Sequence, residues 1–366
     1  MSDKIVRIGG ASAFWGDSGV AAPQLVRRAK VDYLMFDFLA EVTLSIMVNA
    51  KRRDPKMGYA GDFVTVAMAQ VLRELKQKKI RVVTNAGGIN PQSCVEALKA
   101  LAAEQGVDVR IAYVEGDDLL PQLDYLRSAK EMFSGATMPE TIVSMNAYLG
   151  ALPIARALDE GADIVVTGRC ADSAMALGPL IHEFGWKSDD WDRLSAGTLV
   201  GHILECGAQA TGGLHTDWEK VERWEDIGYP IAECRADGSF VVTKPDGTGG
   251  LVTAATIGEQ LLYEIGDPAA YVVPDVACDF RAVTMKDVGK DRVEVKGARG
   301  RPATSTYKVS ATYLDGWRAF GNLTIVGIDA VRKAERTAEA ILARTRAMFR
   351  EHNVGDYTET SIEILG

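Results

Sequence analysis

Short apolar runs rich in β-branched residues alternate, over the first half of the chain, with longer stretches whose apolar positions recur at helical spacing. The runs Ile5–Ile8, Tyr33–Phe38, Arg81–Thr84, Arg110–Val114 and Ile164–Val166 read as strands, and Thr141–Ser144 as a further one. Their near-continuous hydrophobicity, broken in Tyr33–Phe38 only by Asp37, suits strands covered on both faces. Phe63–Leu75, Cys94–Ala103 and Tyr148–Leu158 carry apolar residues on one helical face, and Pro91 stands where a first helical turn tolerates it. Repeated strand–helix units of this length predict an α/β fold with right-handed crossovers. Roughly five or six clear units favour an open, mostly parallel, doubly wound (Rossmann-like) sheet, with a partial or complete α/β barrel as the alternative.

After residue 212 the texture changes. Phe240–Thr243 and Val293–Lys296 read as strands, and the stretch from Thr256 to Ile265 reads as a helix. Tyr307–Tyr313 and Leu323–Val326 flank an Asp315-Gly316 turn and are expected to pair. A helix from Ala330 to about Arg350 is expected, N-capped by Asp329, with Val331, Ala334, Ala338, Ile341, Leu342 and Met348 on its apolar face. The last residues, Thr360–Gly366, read as a strand. The expected division is therefore an α/β domain over 1–212, with its site at the strand C-terminal ends, and an α+β domain over 213–366.

Composition narrows the function classes. The 366 residues are 47% hydrophobic and 25% charged, with a net charge of −9, which disfavours a dedicated nucleic-acid binder. The five cysteines (94, 170, 206, 234 and 278) are scattered and include no C-x-x-C pair, so neither a disulfide framework nor a zinc ribbon is expected. No signal peptide and no membrane-length apolar run is visible, so a cytoplasmic protein without membrane contact is expected.

Ligands of parallel α/β sheets bind beyond the carboxyl ends of the strands. That rule selects Glu41, Asn85, Asn90, Glu115, Asp117, Asp118, Asn146, Arg169 and Asp172, a set suited to proton transfer and to holding a carboxylate or carbonyl. Asp172, Asn90 and Asn146 are also natural helix caps. Arg169 is the better anion anchor of its segment, with an internal pair to Asp172 or Glu115 as the bland alternative, and Cys170 reads more simply as a small buried residue than as a nucleophile. His202 and Glu205 share a helical face and can form an acid–base pair, but with Cys206 they match no zinc spacing, and no metal is assigned. His182 is a second proton-transfer candidate. Lys244, opening Lys244-Pro245-Asp246-Gly247-Thr248-Gly249-Gly250, can assist a phosphate-binding loop, although a plain turn explains the glycines as well. Gly9-Gly10 is not a dinucleotide fingerprint.

An ordered series of motifs runs along the chain. It includes Thr84-Asn85-Ala86-Gly87-Gly88, Val114-Glu115-Gly116-Asp117-Asp118, Asn146-Ala147-Tyr148-Leu149-Gly150-Ala151, Val165-Val166-Thr167-Gly168-Arg169 and His182-Glu183-Phe184-Gly185-Trp186. It continues with Gly201-His202-Ile203-Leu204-Glu205-Cys206-Gly207-Ala208-Gln209 and Gly297-Ala298-Arg299-Gly300. Over nearly its whole length the chain resembles the acyclic terpene utilisation (AtuA) family. The resemblance implies a bacterial catabolic setting in which citronellol- and geraniol-type compounds are broken down through coenzyme A thioesters, and members that often continue past the point where this chain ends. It carries no mapped active site.

The leading expectation is an enzyme acting on a branched, carboxylated or CoA-linked intermediate by hydratase or lyase chemistry. Glu41, Glu115, His202 and Glu205 would move protons. Asn85, Asn90, Asn146, Arg169, Asp172 and Lys244 would bind substrate. No separate cofactor is identified, coenzyme A entering only as part of the substrate. The alternative is a non-catalytic subunit that binds or organises another pathway enzyme. The partners expected are a small molecule and either a second copy of the chain or such an enzyme. Convergence of Glu41, Asn85, Glu115, Asn146 and Arg169 would favour the enzyme; dispersal, with a flat apolar surface near Ile362–Leu365, would favour the subunit. An NAD-linked dehydrogenase would need a dinucleotide site that the glycine spacing does not announce.

Overall fold

The apolar runs of the first half do form strands, and the inner ones are buried at nearly every position, alternate residues packing on opposite faces. In chain order the elements are β1 (Ile5–Gly10), α1 (Ala21–Arg28), β2 (Tyr33–Phe36), α2 (Glu41–Arg53), α3 (Ala69–Lys78), β3 (Arg81–Thr84), α4 (Pro91–Gln105) and β4 (Ile111–Val114). There follow α5 (Leu123–Leu126), β5 (Ile142–Ala147), α6 (Leu152–Asp159), β6 (Ile164–Thr167), α7 (Ala174–Phe184) and α8 (Trp191–Leu204). Beyond residue 212 come β7 (Ile231–Arg235), β8 (Phe240–Thr243), α9 (Ala254–Leu262), β9 (Tyr271–Val273), β10 (Val276–Asp279) and β11 (Thr284–Gly289). The series ends with β12 (Arg292–Lys296), β13 (Arg299–Arg301), β14 (Val309–Tyr313) and α10 (Ala330–Glu351). The computed structural model describes residues 4–365 and falls into two units, Met1–Leu314 and Asp315–Gly366.

The fold of the first unit is mixed α/β around a nine-stranded sheet in the order β11-β12-β8-β7-β1-β2-β3-β6-β4. From β1 to β4 every neighbouring pair is parallel. On the other side of β1, strands β7, β8, β12 and β11 continue the same sheet antiparallel. The change in sequence texture after residue 212 thus falls where hairpin-type strands begin to extend the sheet. With β11 and β4 as free edges the sheet is open, and no barrel closes among the described residues. Tyr33, Met35, Val83 and Val165 pack on one face with α6, α7 and α8, while Leu34, Phe36, Val82 and Ile164 pack on the other with α1, α3 and α4. Helices therefore cover both faces of the parallel half, and each of its inner strands lacks a wet side.

Two expectations about pairing give way. The expected strand after Thr141 is present as β5, but it lies outside the main sheet, because β4 pairs directly with β6 and leaves no place for it. Instead β5 pairs antiparallel with β14, with Ser144 opposite Thr312 and their hydroxyls 2.6 Å apart. That pairing occupies β14, and Leu323–Val326 forms no strand, its Leu323 and Val326 side chains lying exposed.

The second unit, taken by itself, is built on α10, none of whose residues is buried. Its end is held by Tyr357, whose ring meets Phe349 edge-on at 4.8 Å and whose hydroxyl donates to Thr345 Oγ1 at 2.6 Å. Asp329 stands at the N-cap position as expected but with φ +59° and no side-chain capping bond. Residues 360–365 form no strand, for no strand of that unit is there to take up their backbone hydrogen bonds; Gly366 lies outside the described residues. No helix among the described residues is long and apolar enough to cross a membrane.

Two glycines set where α8 ends. A Cβ on Gly10, the last residue of β1, would lie 2.4 Å from the Leu204 carbonyl oxygen. A Cβ on Gly201 would lie 2.4 Å from Ser173 Cα, just after the β6 exit. Only bare backbone at these points lets the C-terminal turn of α8 rest on the ends of the parallel strands. Gly10→Ala is expected to destabilise the protein by about 1–3 kcal/mol through overpacking against backbone. Gly61→Ala, with nothing within 4 Å of the new Cβ, serves as the control. Urea midpoints that move equally for the two variants would contradict this account of the contact.

Candidate active site

Three acids arrive at the same place from three elements. Asp37 follows the last residue of β2, Asp172 lies in the turn between β6 and α7, and Glu205 caps the C-terminal end of α8. Each offers a carboxylate oxygen, and the three oxygens lie within 4.8 Å of one another. One oxygen of each acid is held by protein donors. Asp37 Oδ1 accepts from Asn85 Nδ2 at 2.7 Å and from the Leu39 amide at 3.2 Å. Asp172 Oδ1 accepts from Arg169 Nη1 at 2.8 Å, and Glu205 Oε1 faces His202 Nδ1 at 2.8 Å. The other oxygen of each accepts no hydrogen bond from the described residues, and that of Glu205, Oε2, is fully enclosed. Asp172 keeps 30% of its side chain exposed, so the cluster opens to solvent on that side.

Burial and mutual repulsion dominate the electrostatics. Asp37 is pushed well above the usual carboxylate range by burial and then by the charges of Asp172 and Glu205, against the Asn85 hydrogen bond. Burial likewise raises Asp172, against Arg169. Glu205 is lifted by burial to about 7, against the pull of His202. For His202 burial opposes the charge, but Glu205 outweighs it and the net shift is upward. The remaining His202 nitrogen, Nε2, lies 3.2 Å from the Leu261 carbonyl, which can only accept. Nε2 therefore carries a proton, and a second proton is shared between Nδ1 and Glu205 Oε1. The pair is built to give or take a proton near neutrality.

Arg169 is the buried cation beside these acids. Its Nη1 donates to the Leu39 carbonyl at 2.9 Å as well as to Asp172, while its Nε is buried with no partner. Its guanidinium lies 4.0 Å from the centroid of the Tyr148 ring. The Tyr148 hydroxyl donates to Glu41 Oε1, which also receives Lys308 Nζ at 3.1 Å. Burial works against the Glu41 charge, yet the Tyr148 hydroxyl and Lys308 hold its carboxyl down at about 2. The backbone of Arg169 is anchored by Asp117, whose Oδ2 accepts the Arg169 amide and Asn146 Nδ2, both at 2.9 Å. Gly168 is required there, since a Cβ on it would lie 2.6 Å from the Asp117 carboxylate oxygens.

The structure thus gathers Asn85, Arg169, Asp172, His202 and Glu205 into one network, reaches Glu41 through Tyr148, and places Asn146 one link behind Arg169. It does not bring in the other candidates. Glu115 is exposed, and its side chain has no hydrogen-bond or ion-pair partner among the described residues. Asn90 caps α4 and donates to the carbonyls of Pro55 and Met57. Lys244 is held by the Thr248 carbonyl and Asp291. His182 sits at the opposite end of the strands with Asp159 and Arg81. Burial pushes the Cys170 thiol up to about 12, so it is protonated at neutral pH. The residue that sequence reasoning missed as a site member is Asp37, whose only signal was a lone acid closing an otherwise apolar strand. Tyr148 and Lys308 were missed as well, and no spacing signals them. Size of hollow does not mark the site. A hollow of about 350 Å³ lies at the N-terminal ends of β3 and β6, and one of about 50 Å³ beside Phe36 and Phe38 contains none of the three acids.

Comparison with known proteins gives one informative match. The family model described as "Acyclic terpene utilisation family protein AtuA" matches residues 6–366, nearly the whole chain. No curated protein and no solved structure matches it.

The Glu41 arrangement makes a sign-defined expectation. Its carboxyl is held low by the Tyr148 hydroxyl and Lys308, so Tyr148→Phe should raise its titration midpoint from about 2 toward the ordinary value. Carbon-detected NMR of the side-chain carboxyl measures it, and a midpoint unchanged or lower in the variant would refute the assigned contact.

Proposed function

The chain belongs to the acyclic terpene utilisation family AtuA, and from that premise we propose that it is an enzyme of acyclic terpenoid breakdown. Its substrate would be a branched intermediate bearing a carboxylate or a coenzyme A thioester, and its chemistry proton transfer next to that carbonyl. Hydration, dehydration and carbon–carbon lyase reactions share one demand: a base or acid for a carbon-bound proton and positive charge for the oxyanion that forms beside it. The observation that carries the reading is the pairing of a buried guanidinium that keeps a free donor, Arg169 Nε, with the proton-sharing pair His202–Glu205 at the strand C-terminal ends. Arg169 would hold the anionic or carbonyl oxygen. The His202–Glu205 pair would supply or take up the reaction's proton through water on the solvent-open side of the cluster, and Asn85 would hold Asp37 in place. Glu41 is tied to this group through Tyr148 and Lys308. The setting is cytoplasmic in this reading, and coenzyme A enters as part of the substrate.

The second reading is a subunit that organises another enzyme of the pathway. The exposure of Trp317, Phe320, Val326 and Ile328 favours it, since such apolar residues are suited to a partner surface.

Deuterium wash-in separates the two. Citronellate- and geranate-type acids and their CoA thioesters are incubated with the protein in deuterated water, and mass spectrometry follows label at the carbon next to the carbonyl. Catalysed exchange is expected with at least one thioester or acid, falling by at least about 100-fold in His202→Gln. Arg169→Met is expected to weaken substrate binding as well as rate. If none of these compounds exchanges or shifts the melting temperature, the enzyme reading fails.

A further inference from the structure

We propose that Asp37, Asp172 and Glu205 bind a hard divalent cation, of the Mg²⁺ and Mn²⁺ class, at the C-terminal ends of β2 and β6. The proposal deepens the enzyme reading of this site and rests on it for the ion's use, but the binding itself is measured without substrate.

The geometry points to an ion through the division of labour within each acid. Every one of the three carboxylates has one oxygen fixed by a protein donor: Asn85 and the Leu39 amide on Asp37, Arg169 on Asp172, His202 on Glu205. Each leaves its second oxygen without a hydrogen bond. This is how ligating carboxylates are held, with an outer partner orienting each inner one. A second observation stands apart from the clustering. Glu205 is only 6% exposed, and its Oε2 is enclosed with no partner at all. A buried acceptor without a donor is costly, and a cation would satisfy it.

The donor set selects the class of ion. All three groups are carboxylate oxygens, which suit Mg²⁺, Mn²⁺ or Ca²⁺ rather than the softer Zn²⁺. Both nitrogens of His202, which holds Glu205, are already engaged. Bonds of about 2.1 Å in an octahedron set ligand oxygens roughly 3–4 Å apart. One oxygen of each acid already lies within 4.8 Å of the others, close to that spacing. The solvent-open side at Asp172 leaves positions for water or for a substrate oxygen, the arrangement usual for Mg²⁺. Arg169, buried and ion-paired to Asp172, would then lend positive charge beside the same substrate oxygen.

Protons shared between the acids would be the other way to hold them together, and one experiment separates the two. The full-length protein, stripped with EDTA, is titrated with Mn²⁺ and free ion is followed by electron paramagnetic resonance. One ion per chain is expected, displaced by Mg²⁺, with affinity at least tenfold weaker in Asp37→Asn and in Glu205→Gln. Each variant puts a neutral group of the same shape where burial already disfavours the charge, so its melting temperature without metal should be no lower than the parent's, which shows that weak binding is not misfolding. No binding up to millimolar Mn²⁺, or equal binding in parent and folded variants, would overturn the proposal. Loss of Mn²⁺ binding with deuterium wash-in intact would remove the metal and leave the enzyme. Mn²⁺ binding without any exchange would do the reverse.

Discussion

The contact on which the site depends is between two stretches of backbone. Gly10 ends β1 without a side chain, and the Leu204 carbonyl at the end of α8 occupies the space a Cβ would fill. Gly201 makes the equivalent approach to Ser173 one turn earlier. These contacts bring the last turn of α8 against the carboxyl ends of parallel strands to which it is not hydrogen-bonded. His202 and Glu205 ride on that turn. Without that approach of α8, Asp37 and Asp172 would face each other without Glu205.

What the approach assembles is unfavourable for folding alone. Three carboxylates lie close together in a region of low dielectric, where each buried charge costs several kcal/mol, of order 3–5 if left unpaired. The chain offers partial compensation: the Asn85 amide to Asp37, Arg169 to Asp172 and His202 to Glu205. Compensation stops at one oxygen per acid. Helices on both sides of the sheet, with apolar packing on each face, provide the stability against which this local strain is set. A polar cluster left part-satisfied in an otherwise well-paired protein is where ligand chemistry is to be sought.

Much of the parallel half was legible in the sequence, because strands buried on both faces must be apolar along their length. Tyr33–Phe36, Arg81–Thr84 and Ile164–Thr167 show it directly. The site was legible only by position. The strand-end rule picked Asn85, Arg169 and Asp172, and helical spacing paired His202 with Glu205. It could not say that α8 would return to the same strand ends, since that depends on glycine contacts between residues 10 and 204 and between 173 and 201. Nor could it promote Asp37, which one sequence shows merely as an interruption. Pairing between distant strands was illegible for the same reason: β14 meets β5 through a register set by tertiary contact, not by the turn at Asp315-Gly316. Glu115, Asn90 and Lys244 have the residue types the rule seeks, yet solvent, a helix cap and a loop carbonyl account for where they sit.

Asp37 and Glu205 share one electrostatic site. A double-mutant cycle on unfolding free energy, with Asp37→Asn, Glu205→Gln and the pair in the metal-stripped protein, tests it most directly. Because neutralising either acid relieves the other, the paired variant should gain less stability than the two singles added together, with a coupling of about 1 kcal/mol or more. Additivity to within about 0.3 kcal/mol would show that the two acids do not feel each other and would contradict the account.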